Sequence, residues 1–205
     1  MSSSYVIEMR NALQGYRDTK KKAEQRVNEI KELYGDEAAA KESERLDKQI
    51  KSARSAAERT INQAYDNGVY LAKEWSRPDG SKLTDDMKLF DAGLVTPEVY
   101  EELKNRYSSN STMLSAIKAQ GEKLNAAAAK ADREKGGLGM TEPYNVRDIR
   151  TGDDRIKAWE SIKKQAYNTL DMLDGTGAYS DTWGAILGKH LGDATIDTFG
   201  ESYDL

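Results

Sequence analysis

The sequence predicts an all-α, elongated protein built on a long antiparallel helical hairpin of coiled-coil character, with shorter helices and an irregular C-terminal tail. Three observations carry this. Apolar positions recur at alternating steps of three and four residues through most of residues 4–75. A Gly-Asp pair at Gly35-Asp36 divides that stretch into two arms. The composition is lean, with 38% apolar and 32% charged residues, a mean hydropathy of −0.81 and only three Pro. Long rods expose much surface for the core they bury, and such a composition suits them better than a compact globule.

In the first arm the repeat runs through Val6, Met9, Leu13, Tyr16, Lys20, Ala23, Val27, Ile30 and Tyr34, and only Lys20 departs from the apolar set. The second arm continues through Ala39, Ser43, Leu46, Ile50, Ala53, Ala57, Thr60, Ala64, Gly68, Leu71 and Trp75. A mean spacing of ~3.5 residues places one narrow apolar seam on each helix. Ser2, Ser3 or Ser4 is suited to cap the first helix, which spans roughly 45 Å at ~1.5 Å per residue. Gly15 weakens it by about 1 kcal/mol relative to Ala. Lys20, Lys21 and Lys22 form a short basic run that reads as a solvated face. Gly35 suits the end of the first helix and Asp36 the cap of the second, and so short a connection favours an antiparallel pair. Asn67-Gly68 falls within the helical period and predicts a weak point or kink.

Arg77-Pro78-Asp79-Gly80 is turn chemistry and closes a first segment, residues 1–77. A central helical segment, residues 83–135, follows. It opens with a short helix capped by Thr84, carrying Met87, Leu89 and Phe90 and closed at Gly93. Thr96-Pro97-Glu98 combines a cap, a Pro at the first helical position and an acid in the first turn. That helix carries Val99, Tyr100, Leu103 and Tyr107. The next starts at Ser111 or Thr112 and turns Met113, Leu114, Ile117, Leu124, Ala128 and Ala131 inward. Residues 136–152, with Gly136-Gly137-Leu138-Gly139, read as a Gly-rich linker. In the last segment, residues 153–205, Asp153 caps an amphipathic helix through Ile156, Trp159, Ile162, Ala166, Leu170 and Leu173. A short helix around Trp183, Ile186, Leu187 and Leu191 then leads into an acidic, irregular tail.

Chemistry is sparse. The chain has no Cys and one His, His190, so thiolate sites and His-based metal or triad arrangements lack their parts. The Gly-rich stretch lacks the Lys-Ser/Thr of a phosphate loop, and Asp171/Asp174 lacks the alternating acids of a calcium loop. Asn110-Ser111-Thr112 matches a glycosylation acceptor but reads as a helix cap. The opening residues lack the basic and apolar regions of a signal peptide, and there is no run of 18 apolar residues, so neither a signal peptide nor a membrane span is expected. No cofactor or metal and no catalytic residue is expected. The net charge of −4 gives no general reason for nucleic-acid binding. It is unevenly spread: residues 1–77 hold 15 Lys/Arg against 13 Asp/Glu, and residues 78–205 hold 16 against 22.

Leu89-Phe90-Asp91-Ala92-Gly93-Leu94-Val95-Thr96-Pro97-Glu98, continuing through Tyr100, Leu103 and Tyr107 to Asn110-Ser111-Thr112-Met113-Leu114 and Ile117, resembles a segment of helical proteins from the head-gene region of tailed phages of Gram-positive bacteria, including scaffolding and minor head proteins. The resemblance covers about residues 83–125. It implies a role in virion assembly and supplies no active-site residue.

The expectation is therefore a non-enzymatic phage head scaffolding or minor head protein, in the host cytoplasm during assembly or in the virion. It would form homo-oligomers and contact a coat or other virion protein through Val6, Met9, Leu13, Tyr16, Val27, Ile30, Leu46, Ile50, Leu71 and Trp75. The alternative is a cytoplasmic coiled-coil adaptor or regulator using a basic face of Lys20–Lys22, Lys48, Lys51, Arg54 and Arg59 to bind protein or nucleic acid.

Overall fold

A computed structural model describes residues 4–175 together with Ile196 and Phe199. The expected caps at Ser2 and Ser3, the helix around Trp183–Leu191, His190 and most of the expected irregular tail lie outside these residues. Among the described residues there are six α-helices and no strand: α1 (Ser4–Tyr34), α2 (Asp36–Ser76), α3 (Lys88–Asp91), α4 (Pro97–Arg106), α5 (Ser111–Glu134) and α6 (Gly152–Asp174). The all-α class and the long helical hairpin are as the repeat predicts. The chain forms two compact units, one of Met1–Val69 with Lys157–Leu205, the other of Tyr70–Ile156. Residues 153–174, assigned from sequence to a separate C-terminal segment, thus fall mostly in the same unit as the hairpin.

In the first unit α1 and α2 turn back on each other at Gly35, whose φ of +83° is the left-handed conformation that glycine adopts without steric penalty. The Gly35 N–H closes on the Lys31 carbonyl at 2.9 Å. Helix α6 lies against both arms. Tyr5 meets Trp159 edge to face at 6.4 Å, and further along Tyr16 and Lys20 reach Asp174. On α2, Gly68 lies beneath the Trp159 ring, Asn62 donates to Tyr167 at 2.9 Å, and Arg54 meets Asp171 at 2.8 Å. Helix α6 therefore runs parallel to α1 and antiparallel to α2. Its stripe Trp159, Ile162, Ala166, Leu170 and Leu173 is buried, as are Val6, Met9, Leu13 and Tyr16 on α1. Each fully buried Leu or Ile contributes roughly 1.5–3 kcal/mol, so the third helix is a principal source of stability here.

The α2 seam departs from the strict repeat. Ala57 and Ala64 are buried as expected, but Ile61 and Ala72 take the buried places assigned to Thr60 and Leu71, and Leu71 is 52% exposed. A straight helix has 3.6 residues per turn and drifts by about 20° per heptad from a 3.5 repeat. With α6 to cover it, α2 follows the helical period rather than the coiled-coil one. Gly68 is no interruption either. The helix continues to Ser76, and the glycine is where Trp159 packs, since a Cβ there would lie 2.3 Å from the ring.

In the second unit Thr96 caps α4 by accepting from the Val99 N–H, with Pro97 at the first position. Asn110, one residue before the expected start, caps α5 through its side chain and the Met113 N–H at 3.1 Å. The α5 stripe is Met113, Leu114, Ile117, Gly121 and Asn125, whereas the expected Ala131 is exposed. Met113, Leu114 and Ile117 join Val95, Tyr100, Leu103 and Ile149 in one core. The segment read as a linker is tied to this core. The Asn125 side chain donates to the Tyr144 carbonyl at 2.8 Å and accepts from its N–H at 3.0 Å. The Tyr144 hydroxyl donates to the Val95 carbonyl at 2.9 Å, and Lys118 donates to the Ile149 carbonyl at 3.1 Å. Thr151, not Asp153, caps α6, exchanging hydrogen bonds with Asp154.

Candidate interaction site

The ten residues expected to mediate association divide along the hairpin. Val6, Met9, Leu13 and Tyr16 are buried inside the first unit. Leu46 is buried between the two arms. Val27, Ile30 and Ile50 are only half-buried. Leu71 is exposed, and Trp75, in the second unit, is half-buried with the Arg155 guanidinium 4.1 Å above its ring.

The division falls where α6 ends. Asp174, in its last turn, receives the Tyr16 hydroxyl, the Lys20 ammonium at 2.9 Å and the Arg54 guanidinium. A carboxylate at a helix C-terminus is disfavoured by the helix dipole. Two cations from the hairpin offset that, and Lys20 also donates to the Leu173 carbonyl at 2.7 Å, capping the helix end. Arg54 further holds Asp171 and, at 2.9 Å, Glu58. Burial raises the pKa of the Tyr16 hydroxyl, which keeps it a donor to Asp174. Lys20, read from sequence as part of a solvated run, is thus a structural cation, and the seam break at position 20 is its signature. Of the proposed basic face, Lys20 and Arg54 turn to α6, while Lys22, Lys48, Lys51 and Arg59 remain exposed.

Beyond Asp174 the two arms form an open groove of about 540 Å³, lined by Lys20, Ala23, Glu24, Val27, Asn28, Ser43, Leu46, Asp47 and Ile50. A smaller depression of about 320 Å³ shares Ala23 and Leu46 with it and includes Thr19, Lys22 and Gln49. At the tip Leu33 and Tyr34 are 69% and 71% exposed. The groove has an apolar floor and a charged rim, the form that accepts an amphipathic helix. Among the described residues, no group of acids and histidine is placed to hold a metal ion, and no helix is long and apolar enough to cross a membrane. No family model, no curated protein and no solved structure matches the chain.

Proposed function

We propose that the protein is a non-enzymatic assembly protein of a tailed-phage head, a scaffolding or minor head component, acting through helix-to-helix association of the outer half of its hairpin. One observation carries the reading. The seam is sheathed by α6 at the base of the hairpin, whereas Val27, Ile30 and Ile50 stay half-buried around the groove, with Leu33 and Tyr34 exposed beyond them. Exposed apolar stripes on a charged rod mark surfaces for association. Many weak copies then add through multivalency on a shell. The resemblance of residues 83–125 to phage head-region proteins supplies the setting and makes a coat protein the second partner.

The test is co-expression with the coat protein of the same gene cluster, followed by gradient purification of the particles. The chain is expected to travel with shells or their precursors, and Val27→Glu/Ile30→Glu to be excluded from them. Uniform particles forming without the chain, and none carrying it, would overturn the proposal.

A further inference from the structure

The open groove has one occupant for which its own residues argue: the same groove of a second copy. We propose that two hairpin tips pair about a two-fold axis beside Val27 and Asn28, with α1 lying antiparallel on α1 of the second copy and the tips pointing opposite ways. This deepens the self-association assumed above and rests on that reading.

Continuity is the first argument. The groove prolongs a surface that already accepts a helix, since α6 fills the same seam up to Asp174, at the level of Lys20 and Arg54. A further helix in the groove extends packing that the hairpin is built to make. The hairpin's outer half has the required form: a stripe of Ala23, Val27, Ile30, Ser43, Leu46 and Ile50 between charged flanks.

Charge selects between the two symmetric ways of stacking. Counting back from the turn at Gly35, with Arg26 3.9 Å from Glu42 across the arms, Ala23 falls near the level of Leu46 and Val27 near that of Ser43, so Glu24 and Asp47, both in the groove lining, stand at nearly the same height. If the tips pointed the same way, α1 would face α2 of the second copy height for height. Glu24 would then meet Asp47, acid against acid, a juxtaposition that costs affinity. With the tips opposed and the axis beside Val27 and Asn28, Glu24 faces Lys31 of the second copy, twice over by symmetry. Lys31 is well placed for this. Its ammonium, on an exposed side chain, makes a 3.0 Å surface pair with Asp36, the kind worth little in water. The same register carries Leu33 and Tyr34 of one tip to the level of Lys22 and Lys21 on the other, close to the Lys20 and Ile50 end of the groove. The most exposed apolar side chains of the hairpin thereby come over the base of the groove.

The chain has no cysteine, so one introduced thiol reports on the axis without background. Sedimentation of the full chain is expected to show a dimer. Asn28→Cys is expected to oxidise to a covalent dimer, and Lys41→Cys, exposed at a similar height but outside the groove lining, to remain reduced. Glu24→Lys and Lys31→Glu singly are expected to weaken the dimer about 10-fold, and the double exchange to restore it. Circular dichroism verifies that each surface variant keeps its helix content. A monomer at high concentration, or a dimer in which Asn28→Cys stays reduced and the exchange restores nothing, overturns this pairing. A chain that remains monomeric yet enters particles removes the pairing and leaves the assembly role. A dimer linked through Asn28→Cys that never enters particles removes the assembly role and leaves the pairing.

Discussion

Two glycines in long helices show how much a neighbouring side chain changes the meaning of one residue. Gly15 sits mid-helix with open space where a Cβ would go. Gly15→Ala is therefore expected to raise stability by about 1 kcal/mol, through helix propensity and a less free unfolded chain. Gly68 meets the Trp159 ring, and Gly68→Ala is expected to lower stability by about 1–3 kcal/mol despite the same gain in propensity. Urea unfolding of the two variants beside the parent checks the opposite signs. Tyr100 is a third case. Its ring is fully buried between Phe90 and Tyr144, its hydroxyl has no hydrogen-bond partner, and burial pushes its pKa up to about 12. Tyr100→Phe removes that unsatisfied group and is expected to be neutral or stabilising by up to ~1 kcal/mol in the same measurement.

Among the elements, the start of α6 carries a pH-sensitive clamp. Burial pushes the Asp154 carboxyl up, but Lys118 at 2.6 Å and the two Thr151 donors outweigh it and hold the pKa at about 2, against an ordinary 3.8. A carboxyl whose folded pKa is depressed stabilises the fold above its unfolded pKa and loses that contribution as pH falls through the folded one. The loss therefore lies between about pH 4 and pH 2. About a third of the side chain is open to water, so solvent screening reduces the effect to the order of 1 kcal/mol. Asp154→Asn is expected to flatten that part of the stability-against-pH curve, measured by urea midpoints at each pH.

The end of α6 is held by charge in a different way. Arg54→Ala leaves Asp174 with one cation and Asp171 without its Arg54 bond. It is expected to cost about 2 kcal/mol and to fray the last turn, read as faster amide exchange at residues 170–174.

How much of this was legible in the sequence also follows element by element. Caps and periodicity placed α1, α2, α4 and α6 to within a residue or two, because those signals are local. The packing register of α2 was not legible. A strict heptad assumes that the only partner is another coiled-coil strand, and the actual partner, α6, begins more than seventy residues later in the chain. The role of Asn125 was hidden for the same reason, since a polar residue on an inward face makes sense only once the Tyr144 backbone is beside it. Lys20 gave the one usable hint about the interaction site, as a cation in an apolar seam implies a nearby acid. The strand of sequence offered nothing to say that this acid would be Asp174.

At the largest scale the hairpin, among the described residues, is uneven: sheathed by α6 at its base and open to another helix toward its tip. Hydrogen exchange along α1 and α2, measured as a function of protein concentration, tests this most directly. Residues 21–34 and 36–50 are expected to gain protection as concentration rises, while residues 5–20 and 54–68 stay protected to the same degree throughout. Protection independent of concentration along both arms, or a gain confined to the base, would contradict it.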